Sequence, residues 1–115
     1  MAVLADDLIW ASRLADAIAA AGATPARVRR LADLEAALSA SGDPALAIVD
    51  LTARAYDGVE AIRAARAAGA RVVAVGQHDD LPLRRAATEA GAERVFTYRA
   101  LFEDGGRLLR AWLAR

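Results

Sequence analysis

Three carboxylates stand where a parallel sheet would gather its chemistry. Asp50 closes the apolar run Ala45-Leu46-Ala47-Ile48-Val49, and Asp6 and Asp7 follow the run Ala2-Val3-Leu4-Ala5. A short continuous apolar run reads as a strand buried on both faces, the habit of parallel sheets. Ligands and reactions in open sheets of this kind collect outside the carboxyl ends of the strands. Acids at those ends are therefore a candidate site. With His78 as the only histidine and no cysteine, any metal chemistry there is carboxylate-based, which disfavours zinc. All 15 basic residues are arginine, so mechanisms that need a lysine ammonium are excluded. No nucleophile–base pair can be named, because neither His78 nor the few serines have a motif around them.

The elements that must position these acids alternate along the chain. Strands are expected over Ala2–Ala5, Arg27–Leu31, Ala45–Leu51, Arg71–Val75 and Arg94–Tyr98. Helices are expected over Leu8–Ala21, Asp33–Leu38, Gly58–Ala68, Leu81–Ala90 and Leu101–Ala114. Trp10, Leu14, Ile18 and Ala21 form the apolar stripe of the first helix, and Leu108, Leu109, Trp112 and Leu113 that of the last. Asp33 is the expected cap of the second helix, Pro82 suits a first turn, and Gly22, Gly69 and Gly91 are stops. Strand–helix alternation over short loops gives a (βα)5 α/β fold, a doubly wound parallel sheet of the flavodoxin-like kind. Right-handed crossovers favour the strand order 2-1-3-4-5. In that order strands 1 and 3 are neighbours, and Asp6, Asp7 and Asp50 meet at one edge.

The bulk numbers narrow the function classes. A chain of 115 residues is read as a single domain spanning residues 1–115. Fifteen acids balance fifteen arginines, so no charge footprint points to nucleic acid or to an anionic membrane. No stretch is long and apolar enough for a membrane span, and the N-terminus lacks the basic region of a signal peptide, so the expectation is a cytoplasmic protein. No Gly-rich loop follows the first strand, which disfavours flavin or dinucleotide binding.

Acids after strand 1, Asp50 ending strand 3, Asp57-Gly58 seven residues on and Ala90-Gly91-Ala92 before strand 5 together resemble the CheY-like receiver domain of bacterial response regulators. The resemblance covers the whole chain. It implies that Asp50 is the phospho-acceptor and that Asp6, Asp7, Asp50 and the Thr52 backbone hold Mg²⁺. Counted back from Gly22 without a gap, Asp6 matches the family's second acid and Ala5 its first, with Asp7 at a third, often acidic position. With a one-residue gap, Asp6 and Asp7 are the pair.

Two family markers are missing. Gly76 stands where a Thr or Ser ends strand 4, and Tyr98 and Arg99 stand where a Lys and then a Pro end strand 5. Val95 occupies the place of the switch aromatic. Arg99 could supply charge, but a guanidinium does not replace an ammonium in a tight site. Mg²⁺ binding is accordingly expected to be weak or absent.

Asp57-Gly58 is read as a turn and helix start, His78 as a solvated loop residue, and Arg29-Arg30 and Arg84-Arg85 as solvated faces. The expectation is a degenerate receiver, a pseudo-receiver. It would act as a non-enzymatic, phosphorylation-independent interaction module through the last helix, strand 5 and the fourth helix. Its partner would be a sensor kinase or a downstream signalling protein. The alternatives are a single-domain response regulator phosphorylated on Asp50 with Mg²⁺, and a flavodoxin-like domain that binds a small ligand.

Overall fold

A computed structural model describes all residues 1–115. The chain runs β1 (Ala2–Leu4), α1 (Leu8–Ala20), β2 (Ala26–Val28), α2 (Leu31–Ser39), β3 (Leu46–Asp50), α3 (Gly58–Ala67), β4 (Arg71–Gly76), α4 (Leu81–Ala90), β5 (Val95–Thr97) and α5 (Tyr98–Leu113). The five strands form one parallel sheet in the order β2-β1-β3-β4-β5. The expected topology is the one observed.

Side-chain alternation divides the sheet between two apolar layers. Leu4, Ala47, Val49, Val72 and Ala74 face the layer built with Leu34 and Leu38 of α2, Ile62 of α3 and Ala87 of α4. Val3, Ile48, Val73, Val75 and Phe96 face the layer built with Leu14 and Ile18 of α1 and Leu109 and Trp112 of α5. The central strands β3 and β4 are buried on both faces, as their continuous apolar runs require.

Helix starts follow side-chain caps. Asp7, Asp57, Asp80 and Thr97 each accept a first-turn amide, for α1, α3, α4 and α5 respectively. Gly22, Gly69 and Gly91 have positive φ and end their helices as expected.

The expected boundaries differ most at β2, α2 and the β5–α5 junction. β2 covers Ala26–Val28 rather than Arg27–Leu31, since it is an edge strand paired only with β1. α2 begins at Leu31, whose side chain packs on the core, and not at the supposed cap Asp33. Asp33 lies instead in the first turn, where a carboxylate complements the helix dipole. β5 stops at Thr97, because the Thr97 hydroxyl accepts the Ala100 amide and starts α5 at Tyr98. That helix bends at Asp104, where the backbone is non-helical (φ −150°, ψ 30°).

Candidate functional site

The acids do meet at the carboxyl edge of the sheet. β1 and β3 are adjacent, with Leu4 opposite Val49, so the residues that follow them share one edge. Asp6 and Asp7 lie near enough to Asp50 for their charges to raise its pKa. Each carboxylate nevertheless has its own set of donors.

Asp50 is the only buried polar or charged residue of the chain, 1% exposed. Its Oδ1 accepts the Thr52 amide at 3.1 Å and the phenolic hydroxyl of Tyr98. Burial holds the Asp50 carboxyl above the usual carboxylate range, while the Tyr98 and Thr52 hydrogen bonds pull the other way. Tyr98 is the first residue of α5 and packs its ring on Trp10, with centroids 4.5 Å apart. Burial and the bond to Asp50 push the Tyr98 phenol far above its ordinary range, so it stays a neutral donor.

Asp6 is turned toward the loop between β3 and α3. Its Oδ2 accepts the Arg54 amide at 2.8 Å and the Ala55 amide at 3.0 Å. The Arg54 bond is the main reason that the Asp6 carboxyl lies below its ordinary value. Asp7 accepts the Trp10 amide at 2.9 Å and caps α1. Thr52 is exposed and supplies its backbone N–H to Asp50. A second tyrosine closes the loop: the Tyr56 hydroxyl lies 2.6 Å from the Asp50 carbonyl oxygen and 2.9 Å from that of Leu4. Burial, then the Asp50 charge, pushes the Tyr56 phenol far up as well.

These contacts bear on the Mg²⁺ that the resemblance implies. Octahedral Mg²⁺ needs convergent oxygen ligands with room for water. No group of three or more His, Cys, Asp or Glu side chains stands positioned to hold a metal ion. The cleft beside Asp6, Asp7 and Thr52, about 340 Å³, is not lined by Asp50. As disposed here, the residues do not fit the ion.

The missing markers have structural counterparts. Gly76 ends β4 between Asp50 and β5, and Leu51 fills the space where its side chain would stand: a Cβ there would lie 3.1 Å from Leu51 Cδ1. Arg99 is exposed and paired with Glu103 at 3.0 Å. Tyr98 makes the contact with Asp50 instead. Val95 is half-buried and the neighbouring Phe96 is buried in the core. His78 is exposed and, with Gln77, Thr97, Tyr98 and Arg99, lines a cleft of about 350 Å³. Asp57 caps α3, the structural role expected of it.

Sequence reasoning missed Tyr56 altogether and treated Tyr98 only as a lost lysine. The signal for Tyr98 was the hydroxyl-bearing Thr97 before it, a helix cap that fixes where α5 begins.

No family model matches the chain, and no curated protein matches it in sequence. Solved structures do match it. A response regulator receiver domain from Rhodospirillum rubrum is 17% identical with a TM-score of 0.80, over 99% of this chain and 93% of that one. A CheY-like receiver domain protein from Methanospirillum hungatei is 16% identical, TM-score 0.78, over 98% and 89%. The phosphorylated cyanobacterial phytochrome response regulator RcpA is 17% identical, TM-score 0.78, over 98% and 92%. At such identities the likeness speaks for the backbone: this chain has the CheY-like receiver fold.

Proposed function

We propose that the chain is a pseudo-receiver, a signalling module that engages protein partners without phosphorylation of Asp50. The observation that carries this reading is the Tyr98 hydroxyl on Asp50 Oδ1. The resemblance puts a lysine at this place, whose ammonium would pair with phosphoryl oxygens. A neutral phenol bonded to the acceptor carboxylate offers no such charge. The carboxylate is also buried, and its Oδ1 is already engaged by the Tyr98 hydroxyl and the Thr52 amide, which leaves it poorly placed to attack a phosphoryl donor. The acids, the two phenols and the loop amides then act as a satisfied polar network that fixes the β3–α3 loop. Signalling runs through contact with a sensor kinase or a downstream protein, and α5, β5 and α4 form the contact face.

Intact mass after incubation with Mg²⁺ and acetyl phosphate tests the proposal, with Asp50→Asn as control. The expected result is no gain of a phosphoryl group in either protein. A single gain in the wild type that disappears in the Asp50→Asn variant would overturn it and make the chain a working response regulator.

A further inference from the structure

β2 is the outer strand of the sheet, and the chain turns from it straight into α2. Arg27 on this strand and Arg29 and Arg30 in the turn are all exposed. With Val28, Asp33 and Ala55 they line a cleft of about 390 Å³. None of the three guanidinium groups takes part in the four salt bridges of the chain, which join Arg63 to Glu60, Arg71 to Glu93, Arg99 to Glu103 and Arg107 to Asp104. Asp33 is the one acid lining the cleft, and Asp6 behind Ala55 lies within reach of the Arg29 charge, so cations still outnumber anions there. Like charges held around one space repel, and an anion between them relieves that repulsion.

We propose that this cleft binds a small ligand carrying at least two phosphate groups. Guanidinium forks match phosphate oxygens two at a time, and several forks around one space favour a ligand with several such groups. The cleft volume falls within the range of about 300–1,000 Å³ typical of small-molecule sites. A polynucleotide would need a basic track extending along the surface, whereas the chain as a whole is neutral. Ala55 forms one wall of the cleft, and its amide donates to Asp6 at 3.0 Å. A bound ligand therefore touches the loop that follows Asp50. The inference does not depend on whether Asp50 is phosphorylated.

Calorimetric titration of the full chain at low ionic strength, with inorganic pyrophosphate, with ATP and with orthophosphate for comparison, tests it. The variants are Arg27→Gln/Arg29→Gln/Arg30→Gln and, as a control elsewhere on the surface, Arg99→Gln/Arg107→Gln. Circular dichroism verifies that both fold. The expected result is saturable one-to-one binding of pyrophosphate and ATP, about tenfold or more tighter than orthophosphate. The triple variant should weaken it about tenfold or more while the control pair leaves it unchanged. Binding without saturation, or equal weakening in both variants, would reduce the effect to diffuse charge and overturn the proposal. Displacement of pyrophosphate by an acidic peptide at lower concentration would overturn it too, by giving the cleft to a protein partner.

Discussion

The Tyr98 hydroxyl donates to the Asp50 carboxylate across 48 positions of sequence, passing from the start of α5 to the end of β3 with β4 in between. The central strand and the helix that follows the edge strand β5 are thereby tied by one bond in which a buried acid is the acceptor. Removing the donor leaves that acid with the Thr52 amide alone. Tyr98→Phe is expected to destabilise the fold by about 1–3 kcal/mol at neutral pH, the usual cost of an orphaned buried polar group. In the Asp50→Asn background the same change should cost less. A double-mutant cycle by urea unfolding measures the difference, and a coupling near zero would mean that the bond does not form in solution.

Asp50→Asn is expected to raise stability at neutral pH by about 1 kcal/mol, since an amide keeps an acceptor for Tyr98 without a buried charge. The folded protein holds the Asp50 proton more tightly than the unfolded chain does. The wild type is therefore favoured at low pH, and loses that advantage as pH rises from the ordinary carboxyl value of 3.8 through the higher folded value. Thermal unfolding from pH 3.5 to 8 should show the variant's advantage growing across that window and level above it.

Asp6 behaves in the opposite sense. Its carboxyl is held below the ordinary value by the loop amides, so its contribution is present above 3.8 and fades as pH falls through the lower folded value. Asp6→Ala should cost about 1–3 kcal/mol at pH 7 and much less in acid. Denaturant titrations at the two pH values check this, and a pH-independent loss would point to packing rather than to charge.

Tyr56→Phe removes the hydroxyl that reaches the Leu4 and Asp50 carbonyls. A loss of about 1 kcal/mol is expected, with faster hydrogen exchange at the Arg54 and Ala55 amides than in the wild type. Unchanged exchange there would mean that Asp6 alone holds the loop.

The legible part of this molecule was the part written in local patterns. The uninterrupted apolar runs of β3 and β4 announced a parallel sheet, and Asp57-Gly58 and Leu81-Pro82 marked helix starts. From these the strand order followed, and with it the meeting of Asp6, Asp7 and Asp50 at one edge. What stayed illegible depended on tertiary packing. Gly105-Gly106, poor helix formers by propensity, lie inside α5, where bare backbone lets α1 approach. Trp10, on the apolar stripe of α1, is half-buried against Tyr98, a partner that no local pattern announces. The partners of each carboxylate are equally non-local, because the donors come from loops whose paths no periodicity encodes.

The bend at Asp104 divides α5 into two arms. Beyond it, a Cβ added at Gly105 or Gly106 would lie 3.0 Å from the Ala17 or Ala20 methyl of α1, so the long arm is clamped. Before it, the short arm carries Tyr98 and the exposed Phe102. Both arms thus hold α1, the long one through bare backbone and the short one through the Tyr98–Trp10 rings and the Arg13 guanidinium over Phe102, so a displacement of Tyr98 from Asp50 is felt by α1 as well.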